Sequence, residues 1–165
     1  MKKKLILSLI LFLSMYVFDV VADNKRIIIR KSQRTLHIYD EGNLIRKYNI
    51  ALGAKPVGHK KKEGDSRTPE GVYSVIWKNR NSKFNKSLMI SYPNKIDVER
   101  ASSKGVSPGG NIAIHGIGES RSFSGLFQNS HWHKNWTKGC IAVTDRQINE
   151  IYKIIKVGTI VDIRP

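Results

Sequence analysis

Apolar and polar positions alternate in short blocks along the first half of the chain. The stretch RIIIRKSQRTLHIYDEGNLIRKYNIALG, from Arg26 to Gly53, reads as three strands: Ile27–Arg30, Thr35–Tyr39 and Leu44–Ala51. Turn residues at Lys31–Arg34 and Asp40–Asn43 separate them. In the second strand Leu36 and Ile38 share one face, and His37 is expected to point outward as an ordinary strand residue. Residues 54–68, AKPVGHKKKEGDSRT, lack periodicity and read as a long basic loop with His59 as a solvated member. PEGVYSVIWKN then returns to strand character, with Pro69 at its entry and Gly71 where backbones approach closely.

The second half carries fewer regular runs. Leu88–Tyr92 reads as a strand, followed by a turn at Pro93-Asn94 and a short helix around Ile96–Lys104 that Gly105 ends. Asn111–His115 follows a Pro-Gly-Gly turn and reads as a strand. Residues 116–139 are rich in Gly, Ser, aromatics and His, and so long a loop inside a compact domain points to function. The clearest signal comes last. Thr144-Asp145-Arg146-Gln147 has the form of a capping box. Ile148, Ile151, Tyr152 and Ile155 follow at the spacing of one helical face. Gly158 ends that helix, and TIVDI reads as a closing strand. The expected fold is mainly β, sandwich-like or barrel-like, with one C-terminal helix and a short middle helix.

The N-terminus changes the picture of where this domain works. Lys2, Lys3 and Lys4 precede an apolar run from Leu5 to Phe18, and Val20-Val21-Ala22 supplies a cleavage site. This order is that of a secretory signal over residues 1–22, and the run is short for a membrane span. No cysteine follows it, so no lipid anchor is expected, and a cleaved chain would keep no stable membrane anchor. The domain is expected over residues 26–165, in the periplasm or cell envelope. The formal net charge is +16, and removal of the leader lowers it by two. Such a chain is drawn to polyanions. Nucleic acid is the common partner of a basic chain, but export argues against it and towards cell-wall polymers or anionic lipid head groups, with charge that serves solubility alone as an equal reading.

Cys140 is the only cysteine, so no internal disulfide forms, and its thiol is either buried and inert or free and reactive. A nucleophilic thiol needs a base within reach, a group that orients the base, and donors for the oxyanion. His115 ends a strand in IAIHG and is a candidate base, though a buried histidine bonded to backbone is an equal reading of it alone. Gly139 permits a tight turn that aims the Gly139 and Cys140 amides into one cavity. His131, His133 and Cys140 also admit a metal reading, but their spacing fits no common zinc pattern, so no metal is expected.

GDSRTPEGVY, VSPGGNIAIHG and WTKGCIAVT occur here in the order found in the L,D-transpeptidase catalytic domain of YkuD type, and nearly all of residues 26–165 resembles that family. The resemblance implies an exported cysteine enzyme acting on peptidoglycan stem peptides, without cofactor. It casts Cys140 as nucleophile, His115 as general base, and the Gly116 carbonyl as the group that orients the imidazole. The Gly139 and Cys140 amides match the oxyanion donors. His131 matches a histidine that one subgroup keeps and that touches substrate, with Thr137, Lys138 and Arg67 as further substrate-side candidates. Thr68 is read as structural. Two departures bear on substrate: Lys138 stands where many members have histidine, and Ala142 where many have Arg or Asn. The acceptor is left open by the resemblance: an amine gives a cross-link, water gives a carboxypeptidase, and a wall-attached protein gives anchoring or release. A non-catalytic wall-binding module is the reading from another class. The segment SRSFSGLFQNSHWHKN lengthens the spacing from His115 to Cys140 and is expected to form a lid or substrate wall.

Overall fold

A computed structural model of the chain describes residues 24–118 and 125–165. The expected leader, residues 1–22, lies outside them, as does the first part of the expected lid. Eight strands form one sheet in the order β3-β2-β1-β8-β4-β5-β6-β7. They are β1 (Arg26–Arg30), β2 (Thr35–Asp40), β3 (Asn43–Asn49), β4 (Gly71–Ser82), β5 (Asn85–Ile90), β6 (Ala113–His115), β7 (Ile141–Ala142) and β8 (Ile160–Arg164). Among the described residues three α-helices join them: α1 (Lys95–Ser102), α2 (Gly125–Ser130) and α3 (Asp145–Ile154). The β1–β8 and β6–β7 pairs are parallel and the other pairs antiparallel.

The sheet curls until its two ends meet. The segment after β3 returns to β7, where Ala51 and Ala142 exchange both amide hydrogen bonds at 2.9 Å. Thr137 continues this seam, donating to the Leu52 carbonyl at 3.1 Å and accepting from the Ala54 amide at 3.0 Å. The fold is thus mainly β and half-barrel in shape. Ile27, Ile29, Leu36 and Ile38 on the inward faces of β1 and β2 are fully buried, with Leu88, Ile90, Ile114 and Ile141 at the other end of the sheet.

Helix α3 follows its sequence signals closely. The Thr144 hydroxyl accepts from the Gln147 amide at 3.2 Å, and the Gln147 side chain accepts from the Thr144 amide at 2.9 Å. Ile148, Ile151 and Ile155 are fully buried against the sheet. Each such burial contributes about 1.5–3 kcal/mol. Helix α1 also has a reciprocal cap, between Asn94 and Asp97.

Four local expectations change. β4 and β5 extend into a hairpin through the polar residues 80–87, because strand pairing rather than apolar alternation holds it. The expected loop 116–139 contains α2 and a 3₁₀ turn at His131–His133. His37 is buried, lying in one cross-strand row between Ile28 and Lys47. His59 is half-buried: its Nδ1 accepts from the Glu70 amide at 3.0 Å, and its Nε2 lies 3.1 Å from Asp97 Oδ1. That contact and the buried ammonium of Lys31, which donates to the carbonyls of Gly58 and Thr68, pin the aperiodic basic loop to the sheet.

Candidate active site

Parallel pairing of β6 with β7 brings the two sequence-distant residues together. Ile114 pairs with Ile141 and His115 with Ala142, so Cys140 precedes β7 beside the strand that ends in His115. Both line a cavity of about 460 Å³, together with Lys83, Phe84, Asn111, Trp136, Thr137 and Lys138.

His115 is 2% exposed. Its Nδ1 lies 2.5 Å from the Gly116 carbonyl oxygen. A carbonyl only accepts, so Nδ1 carries the proton and Nε2 is left as the basic nitrogen. The imidazole stacks on Phe84, with ring centroids 4.2 Å apart, and meets Trp136 edge-on at 5.9 Å. Gly116 has no room for a side chain: a Cβ there would lie 2.5 Å from Asp145 Oδ1 and 2.6 Å from the Phe84 carbonyl oxygen. Burial lowers the His115 pKa, while the Gly116 bond and the Asp145 charge oppose it.

Cys140 is a free, half-buried thiol whose Sγ lies 3.5 Å from the Asn111 carbonyl oxygen. Burial raises its pKa, against the Ala113 amide and the charge of Lys60. Both directions favour a neutral thiol beside a neutral imidazole.

The turn into Cys140 is tied by Thr137. Its hydroxyl donates to the Cys140 carbonyl at 2.7 Å and accepts from the Gly139 amide at 3.1 Å. This alters the expected pair of oxyanion donors. The Gly139 amide closes the turn, and of the two only the Cys140 amide has no acceptor among the described residues. Gly139 has φ +133°, and a Cβ there would lie 2.7 Å from the Arg67 carbonyl oxygen.

The remaining substrate-side candidates are placed unequally. Lys138 is exposed on the cavity rim. Arg67 backs Gly139 with its carbonyl, while its guanidinium bonds the Val57 carbonyl away from the cavity. Thr68 is buried, and its hydroxyl accepts from the Gly53 amide at 3.0 Å. His131 is 1% exposed, does not line the cavity, and has neither ring nitrogen bonded among the described residues. Burial holds its pKa down to about 4. Among the described residues no group of three His, Cys, Asp or Glu side chains is arranged to hold a metal, and no helix is long and apolar enough to cross a membrane.

Several residues of the site escape pattern reading. Phe84 and Lys83 sit at the β4–β5 hairpin tip, where polar composition hides the strands. Asp145 looks like a plain first-turn acid, yet Oδ1 accepts from the amides of Ile117 at 2.8 Å and Gly118 at 3.0 Å. Its Oδ2 accepts from Gln128 Nε2 at 2.7 Å, and its own amide donates to Gln128 Oε1 at 3.2 Å. One carboxylate thus fastens both the segment after His115 and helix α2 to the start of α3.

The curated relatives include the putative L,D-transpeptidase YafK of Escherichia coli K12, 29% identical over 136 residues, which cover 77% of this chain and 45% of that protein. The chain therefore spans less than half the length of that relative. Among solved structures, the helical cell shape determining protein Pgp2 of Campylobacter jejuni matches with TM-score 0.64 at 24% identity, over 84% of this chain and 46% of that one. An L,D-transpeptidase of Mycobacterium smegmatis matches with TM-score 0.55 at 12% identity, over 86% and 59%. These two likenesses concern the fold. The model of the YkuD L,D-transpeptidase catalytic domain matches residues 24–163, nearly the whole described region and every residue of the cavity. By that match and by the curled sheet that carries the cavity, the chain belongs to the YkuD family of L,D-transpeptidase catalytic domains.

Proposed function

We propose that the protein is an exported cysteine acyltransferase acting on peptidoglycan tetrapeptide stems in the periplasm or cell envelope. The observation that carries this reading is the shared cavity of Cys140 and His115, with Nδ1 of His115 held by the Gly116 carbonyl. As the stem amide enters, His115 Nε2 takes the thiol proton and Sγ attacks the carbonyl carbon. The oxyanion forms beside the Cys140 amide. The imidazolium then protonates the leaving amine, the C–N bond breaks, and D-alanine departs from a Cys140 thioester. An acceptor amine attacks the thioester and gives its proton to His115. The C–S bond breaks, and the thiolate regains a proton from the imidazolium. A thiol that is neutral at rest fits this sequence, since proton transfer accompanies attack.

Incubation with disaccharide-tetrapeptide, followed by intact mass and product analysis, tests the reading. The expected result is an adduct lacking D-alanine on wild type and none on Cys140→Ala. A cross-linked dimer identifies an amine acceptor, and tripeptide with free D-alanine identifies water. A folded wild type that forms neither adduct nor product would refute the proposal.

A further inference from the structure

The basic loop that pattern reading left without a role forms the wall of a second cavity, about 560 Å³ in volume. Lys55, Lys61, Lys62, Arg67 and Lys104 line it, with Asp65 as the one acid. Asp65 does not neutralise them. Its Oδ1 accepts from the buried ammonium of Lys60 at 2.9 Å and from the Arg67 amide at 3.0 Å. Its Oδ2 accepts from the amides of Lys61 at 2.7 Å and Lys62 at 3.1 Å. Burial alone would raise its pKa, but these bonds pull it to about 2. The carboxylate therefore shapes the loop, and its charge is matched by Lys60 from within. Glu63, adjacent to Lys62 in the chain, lies outside the lining, with Oε2 accepting from the Ser107 hydroxyl at 3.1 Å. Lys55, Lys61, Lys62 and Lys104 are exposed and ion-paired with no carboxylate among the described residues. They come from two separate parts of the chain, the basic loop and the turn after α1, so the folded domain gathers them.

This cavity adjoins the catalytic turn. The Arg67 carbonyl packs against Gly139, and the Ala54 amide, next to Lys55, bonds the Thr137 carbonyl at 3.0 Å. We propose that the cavity is a subsite for free carboxylates of the peptidoglycan strand, holding an anionic stretch of the polymer beside Cys140. The inference rests on the function proposed above, which makes the wall polymer the substrate. A peptide-bearing glycan presents several free carboxylates near each scissile amide. A cavity with five cations and an internally satisfied acid lowers the energy of such a chain by long-range attraction, without demanding one fixed geometry.

The test is co-sedimentation of the full chain with purified sacculi stripped of phosphate polymers, across a sodium chloride series. Wild type is compared with K61Q/K62Q/K104Q and, separately, with K104E in the turn after α1, each checked for folding by its melting transition. Loss of three cations should weaken binding about tenfold at low salt and flatten its salt dependence. Sacculi whose carboxylates have been amidated should bind wild type no better than native sacculi bind the triple variant. Unchanged binding by both folded variants, or indifference to amidation, would overturn the subsite. So would charge-dependent binding to phosphatidylglycerol vesicles without binding to sacculi, which would assign the cavity to lipid head groups. Wild-type thioester formation on soluble disaccharide-tetrapeptide separates the two readings. Charge-dependent sacculus binding without acylation removes the catalytic proposal and keeps the subsite, whereas acylation without such binding does the reverse.

Discussion

Helix α3 and the turn from Thr137 to Cys140 lie side by side in the sequence, yet they are built in opposite ways. The helix brings its own instructions: a reciprocal cap at Thr144 and Gln147, and three buried isoleucines on one face. The turn leans on distant residues. The Arg67 carbonyl packs against Gly139, Leu52 and Ala54 pair with Thr137, and β6 supplies the neighbouring strand for a β7 of only two residues. The difference fits the role proposed for each part. A helix stabilises through its face and tolerates local adjustment. A nucleophile must be held against a particular base, so its backbone is bound from several directions.

The comparison can be broken most sharply at the base. His115→Ala should lower the rate of Cys140 acylation by roughly 10²–10⁴-fold, with a melting transition close to wild type in a thermal scan. Acylation at the wild-type rate would move the base elsewhere. Ile148→Ala should do the reverse. Chemical denaturation should register a loss of about 2–5 kcal/mol, while acylation well below the melting temperature stays within a few-fold of wild type. Removing the hydroxyl that ties the turn, Thr137→Val, should fall between them. Leaving the buried Gly139 amide without its acceptor costs about 1–3 kcal/mol, and stability and acylation rate should decline together.

The smallest effect concerns pH. Burial lowers the His115 pKa below the ordinary histidine value of about 6.5. The base is then neutral above that range, and acylation should fall only at more acidic pH. The Asp145 carboxylate raises the His115 pKa, so Asp145→Asn should move the acid limb to still lower pH. A carboxylate that merely fastened α2 would leave the limb in place, and Gln128→Ala supplies that control in the same pH–rate measurement.

Legibility followed the range of the interactions. The hairpins of β1, β2 and β3 were readable because adjacent strands close through short turns, and α3 because its cap and face are local. His115 and Cys140 were readable only as a pattern of motifs, since nothing in the spacing alone requires β6 and β7 to pair. Phe84 was not readable at all as a neighbour of the imidazole. It lies at the tip of a hairpin whose strands are polar, and a polar strand has no periodic signature. His37 and His59 depart from the sequence expectation for a related reason. Burial of a polar side chain depends on what crosses over it from elsewhere in the chain, and alternation within one strand carries no record of that.

By itself, the sequence determined the mainly β class, the position and the buried face of the last helix, the strongly basic character, and the two residues expected to do the chemistry. The tertiary structure decided that one curled sheet closes on itself at Ala51 and Ala142, that the Gly139 amide belongs to Thr137, and that Asp145 joins the segment after His115 to α3. It also gathered the scattered lysines into a cavity beside the turn. The division has a physical cause. Caps, turns and helical faces involve groups a few residues apart, whose geometry the backbone sets. Hydrogen bonds across a closed sheet join groups tens of residues apart, and only the packing of the whole domain brings them within reach.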